Sequence, residues 1–119
     1  MLKVHAKNQG NVGILCLQGR IVNGETDVLR QAVRSLTKVG TITLDFARVT
    51  ALDARGLGVM LELREQAEAN GIRFELMNVS KWVRRVLEVT RLDTVFPITS
   101  RIELSPVAQR GVARTALAA

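Results

Sequence analysis

Leu2, Val4 and Ala6 fall on one side of an extended segment and Lys3, His5 and Lys7 on the other, so the chain opens with an apolar-polar period of two. That alternation predicts a half-buried strand, and "NQGN" supplies the turn after it. "VGILCLQG" is nearly continuously apolar, the pattern of a strand covered on both faces and hairpin-paired with the first. The period then changes. Leu29, Ala32, Val33 and Leu36 recur at i, i+3, i+4 and i+7, predicting a helix over "ETDVLRQAVRSL" with Asn23 as candidate N-cap. "TITLDF" returns to alternation as a third strand. A second helix, Gly56 to Asn70, turns Met60, Leu63 and Ala67 toward a core and Glu62, Glu65 and Glu68 toward water, with Leu57 and Leu61 between the two faces. "IRFELMN" predicts a fourth strand. Ser80 is placed to cap a third helix carrying Val83, Val86, Leu87 and Thr90, and "TVFPITSRIEL" offers a last short strand or extended segment.

Strands that alternate with helices in this way define an α/β fold, here a single domain with a mixed β-sheet of about five strands and three main helices packed on it. The 119 residues, 47% of them hydrophobic, suit one core and not two. The domain is expected over residues 1–104. "SPVAQRGVARTALAA", residues 105–119, is small, Ala-rich and weakly periodic, and reads as a flexible C-terminal tail.

Composition narrows the function. Seventeen basic against eleven acidic residues give a net charge of +6, which in principle suits nucleic acid, an anionic membrane or an acidic protein surface. The basic residues are scattered, however, with "KWVRR" the one local concentration. Tyr is absent, and Phe46, Phe74 and Phe96 sit in apolar settings, so the stacking platform of a single-strand binder is missing. No nucleic-acid partner is expected. Neither a signal-peptide core nor an apolar run of transmembrane length is present, and the single cysteine, Cys16, reads as a small core hydrophobe. A reducing cytoplasm fits. His5 is the sole histidine and alternates with lysines, so metal-ligand spacing is lacking. "RGLG" has neither the Lys and Ser or Thr of a P-loop nor the third glycine of a dinucleotide fingerprint. Asp45 and Asp53 have no nucleophile beside them, and no catalytic residue, metal or cofactor is assigned.

The most distinctive stretch is "LDARGLGVML", Leu52 to Leu61. "LDFARVTALDARG" reads as the loop leaving the third strand at its carboxyl end, where sites in α/β sheets concentrate. Asp53 is suited to cap the following helix, Gly56 to permit close backbone approach, and Ala54 to leave the helix mouth unobstructed. On the third helix Trp82, Arg85 and Val89 share a less buried face than Val83, Val86 and Leu87. Partly exposed aromatics and arginines are enriched at interfaces.

From Thr41 to Ile98 these residues resemble the STAS domains, named for sulphate transporters and anti-sigma factor antagonists. Their pattern is a strand, "D-S-[ST]-G-[LIV]-[AG]", a helix, a strand and "V-x-x-[LIV]-[LIV]" followed by "L". The resemblance implies a curved sheet with helices on one side, and a partner-switching protein that binds an anti-sigma factor acting as a serine kinase and is released when its motif serine is phosphorylated. Asp53, Gly56, Leu57 and Gly58 keep the motif. The serine maps onto Ala54, the next Ser or Thr onto Arg55, and Val22 stands where a "G-x-[LIV]-D" motif often has aspartate. With no acceptor hydroxyl at Ala54, the resemblance implies a docking module held in its unmodified, binding-competent state. The expected contact residues are Asp53, Ala54, Arg55, Gly56, Leu57, Leu61, Trp82 and Arg85. A STAS subunit of a larger signalling, phospholipid or anion transport assembly, or a nucleotide-type small-ligand binder, stand as alternatives, and homodimerisation stays open.

Overall fold

The computed structural model describes residues 1–36 and 38–99. The expected tail, residues 105–119, and the end of the expected domain at 104 lie outside the described residues. The elements follow the predicted order: β1 (Lys3–Gln9), β2 (Val12–Ile21), α1 (Asp27–Ser35), β3 (Thr41–Leu52), α2 (Ala54–Ala69), β4 (Arg73–Met77), α3 (Lys81–Val89) and β5 (Ile98–Thr99). They form one five-stranded sheet in the order β1-β2-β3-β4-β5. β1 and β2 pair antiparallel around the two-residue turn Gly10–Asn11, with Gly10 at φ +60°, and every later pairing is parallel.

Because β2 to β5 are neighbours in chain order, crossovers of one hand place α1, α2 and α3 on the same face of the sheet. Burial follows that rule. Leu15, Leu17, Ile42, Leu44, Phe46, Phe74 and Leu76 are shut in beneath Leu29, Met60, Leu63, Val83 and Leu87 of the helices. Fully burying side chains of this size is worth about 1.5 to 3 kcal/mol each, which makes this layer the main source of stability. Residues of the opposite parity, Ile14, Cys16, Asp45, Glu75 and Met77, are half-buried and no described element covers them. The apolar run of β2 therefore corrects the expectation of a doubly covered strand, and Cys16 lies on the open face, not in the core.

Two further corrections concern boundaries. Asn23 does not cap α1, which begins four residues later with Thr26 at the cap position and no side-chain cap bond. β3 does not stop at Phe46. It bulges opposite Leu17 and pairs on with β2 as far as Ile21↔Leu52, so the expected loop "LDFARVTALDARG" shrinks to Asp53 and helix α2 starts at Ala54. The bulge explains why the alternation seemed to end: Ala47 and Arg48 are both exposed, and Asp45 Oδ1 accepts the bulge amide of Ala47 at 2.9 Å.

Helices α2 and α3 close with the same pair of bonds, a 6→1 and a 5→2 contact. After α2 the amides of Gly71 and Ile72 donate to Glu68 and Ala67. After α3 those of Arg91 and Leu92 donate to Glu88 and Leu87, and Arg91 holds the left-handed position at φ +62° that Gly71 holds in α2 at φ +73°. A side chain there is strained where glycine is not. Arg91→Gly is expected to stabilise the fold by up to about 1 kcal/mol in equilibrium urea denaturation, and a loss of stability would contradict the left-handed assignment.

Candidate functional site

The extension of β3 beside β2 brings the end of β2, the turn after it and the start of α2 to one place. Asp53 joins them. Its amide donates to the Ile21 carbonyl at 3.3 Å, Oδ1 accepts the Gly56 amide at 2.8 Å, and Oδ2 accepts the Asn23 amide at 3.0 Å. The Asn23 bond foremost, then that of Gly56, holds the Asp53 carboxyl below the usual carboxylate range. Both oxygens thus serve the chain itself, one as helix cap and one as clamp on the β2–α1 turn.

The two glycines of "RGLG" do different work. Gly56 is buried, and a Cβ on it would collide with the Ile21 carbonyl, so the first turn of α2 packs backbone to backbone on the end of β2. Gly58 is exposed, and a Cβ on it would meet nothing. Successive even positions on a helix point to opposite sides, so the spacing itself carried the signal that one contact does not account for both glycines. That signal, and Asn23 as the partner of Asp53, were missed in reading the sequence.

The expected contact residues divide by burial. Ala54 and Arg55 are exposed at the helix mouth, Asp53 and Leu61 are half-buried, and Gly56 and Leu57 are interior, Leu57 being 8% exposed in the core. Ala54, Gly58 and Leu61 form one outward stripe of α2, flanked by exposed Asn23 and Gly24. Beside the stripe Arg30 of α1 pairs with Glu62 at 3.0 Å. Trp82, 40% exposed, and Val89, 69% exposed, do share the outer face of α3 with Arg85. They are not brought together with Ala54. β4 stops pairing at Asp45↔Met77 while β3 runs on to Leu52, which places the α2 mouth on the order of 20 Å further along the strand direction.

Among the described residues no three His, Cys, Asp or Glu side chains gather to hold a metal, and no helix is long and apolar enough to cross a membrane. Burial foremost, then the Asp45 charge, pushes the Cys16 thiol up, keeping it in its neutral form near pH 7.

An exposed helix mouth at the carboxyl end of a one-sided α/β sheet, with an aspartate-capped "DARGLG" start to its helix, is the architecture of the STAS class. The chain matches the family described as "Mlab, STAS domain" over residues 4–104 and belongs to it. A STAS-domain containing protein of Pseudomonas aeruginosa (strain UCBPP-PA14) is 30% identical over 84 residues, covering 70% of this chain and 83% of the relative. Among solved structures, a putative anti-sigma factor antagonist from Thermotoga maritima superposes with a TM-score of 0.75 at 24% identity, over 83% of this chain and 87% of that one. A sulfate transporter family protein from Wolinella succinogenes does so with a TM-score of 0.64 at 22% identity, over 76% and 78%. Fold and family are thereby fixed, with resemblance to the anti-sigma factor antagonists.

Because folding lowers the Asp53 pKa below its ordinary value near 3.9, the contribution of the charged carboxylate is complete only above about pH 5 and is lost progressively as pH falls through the folded-state value. Asp53→Asn is therefore expected to lower the thermal midpoint at pH 7 and to cost less at pH 2.5, where part of the carboxylate's contribution is already gone. Equal losses at both pH values would contradict the clamp.

Proposed function

We propose that this domain is a non-enzymatic, cytoplasmic protein-binding module of the anti-sigma factor antagonist kind, which docks an anti-sigma factor that is also a serine kinase through the mouth and outer stripe of α2. The observation that carries the reading is Gly58. Glycine inside a helix costs about 1 kcal/mol relative to alanine, and nothing within the described chain needs its bareness at this position. A surface that accepts such a cost is one on which another molecule lies close, and Ala54, one turn earlier, continues the same flat stripe. Asp53 and Gly56, by contrast, are accounted for internally and serve to hold Ala54 in place.

Ala54 occupies the position of the motif serine, and Arg55 and Val22 replace two more polar motif residues. Without a hydroxyl at Ala54 the helix mouth takes no phosphate there, and the docking surface stays in the form that binds. Trp82 and Arg85 extend the contact to α3. A partner covering both patches spans on the order of 20 Å, within the roughly 800 Å² per side of a standard interface. The recurrence of this fold in a sulfate transporter family protein supports a second reading, in which the same stripe docks a permanent subunit of a larger assembly.

Capture of partners from the native cell separates these readings: a kinase or sigma-pathway protein supports the first, transport subunits the second. With the partner recovered, Ala54→Asp is expected to weaken binding by about 2 to 5 kcal/mol, because a carboxylate would be buried without a counter-charge. Its thermal midpoint should change little, since an acid is tolerated at a helix N-terminus. Gly58→Ala is expected to stabilise the fold by about 0.5 to 1 kcal/mol while weakening the complex. Unchanged affinity in both folded variants would move the interface away from α2.

A further inference from the structure

The uncovered face of the sheet carries a second site. A cavity of about 650 Å³ opens there, with Lys3, His5 and Lys7 of β1, Cys16 of β2, and Asp45 and Arg48 of β3 among its lining residues. Strand register explains the grouping. His5 pairs with Cys16 and Cys16 with Asp45, so these side chains form one row across three strands, while Lys3, Gln18 and Arg48 form the next. The bulge at Ala47 offsets β3 by one residue and so brings Arg48 level with Gln18.

Among the described residues, basic residues on the surface are of two kinds, tied to a carboxylate or, like the exposed Arg34, Arg55 and Arg84, untied, and the cavity gathers three of the second kind. Arg20, Arg30, Arg64, Arg73 and Arg85 each reach a carboxylate. Lys3, Lys7 and Arg48 pair with none among the described residues. The one carboxylate in the lining, Asp45, already accepts from the Ala47 amide at 2.9 Å and the Asn78 side-chain amide at 3.0 Å, and it stands next to the neutral Cys16 thiol. Lys3 and Lys7 are about 13 Å apart along β1, and Arg48 lies about 10 Å across from Lys3, distances that long side chains close over a group held between them. Three cations arriving from two strands suit a tetrahedral dianion better than a flat carboxylate, which one guanidinium satisfies. The volume greatly exceeds that of inorganic phosphate, and the Cys16 and Ala47 side chains give an organic body an uncharged surface to lie on.

We propose that the open face of the sheet binds a small organic phosphate, its phosphoryl group held by Lys3, Lys7 and Arg48 and its body lying along Cys16 and Ala47. This site is separate from the α2 surface and does not depend on the docking reading.

The test titrates the full chain with hexyl phosphate, inorganic phosphate and hexanoate at constant ionic strength, followed by amide chemical shifts. Hexyl phosphate is expected to give saturable shifts confined to residues 3–7, 16–18 and 45–48, and to bind several-fold more tightly than either of the others. Lys3→Glu and Arg48→Glu should each weaken it about tenfold or more, as loss of a charge-assisted bond implies. Arg34→Glu changes the net charge equally, far from the cavity, and should leave it nearly unchanged. Thermal midpoints establish that each variant is folded. Weak, non-saturating shifts, equal loss in Arg34→Glu, equal affinity for hexanoate or inorganic phosphate, or shifts centred on residues 53–58 would each overturn the proposal.

Discussion

The first turn of α2 lies with its backbone against the backbone at the end of β2, and the geometry of the site hangs on that approach. Only a residue without a side chain fits between the turn and the Ile21 carbonyl, so Gly56 sets the distance. Asp53 then locks it, spending one carboxylate oxygen on the Gly56 amide and the other on Asn23 across the gap. A helix mouth held by three backbone contacts is presented in one conformation, so nothing that bound Ala54 and Arg55 would first have to order them.

The same joint explains which features were readable from sequence. Periodicity located every strand and helix because each buries one face against a shared core, and the pattern of Leu29, Val33, Met60, Leu63, Val83 and Leu87 records that directly. The upper half of β3 was not readable. Its bulge puts Ala47 and Arg48 on the surface in succession, breaking a period of two exactly where pairing with β2 continues. Nor was the single-sided burial of β2 readable from residues: Val12, Ile14 and Cys16 are as apolar as core positions, and only the strand order reveals that no described helix covers them. At the site, Asp53 as cap followed from residue type, but its second bond to Asn23 joins positions thirty residues apart and has no local signature.

Basic residues lie on both faces of the sheet. On the helical side some arginines make ties between or along helices, such as Arg30 to Glu62 and Arg64 to Glu68, partly exposed pairs worth about 1 kcal/mol each. Others there, Arg34, Arg55 and Arg84 among them, stay untied among the described residues and apart, whereas on the open face three untied cations, Lys3, Lys7 and Arg48, line one cavity. A scattered sequence distribution becomes a local field once the register aligns β1 with β3 across β2.

The STAS motif in this chain thus separates into residues that build the helix mouth and an exposed residue on which the mouth does not depend. Asp53, Gly56 and Leu57 are fixed by cap, close approach and core packing, each of which fails locally if the residue type changes. Ala54 touches none of these constraints. It sits exposed at the first helical position, where serine or alanine leaves the fold almost equally stable and the presence of a hydroxyl matters only to a modifying partner. An alanine at this position therefore costs the architecture nothing, which is why the motif stays recognisable around it.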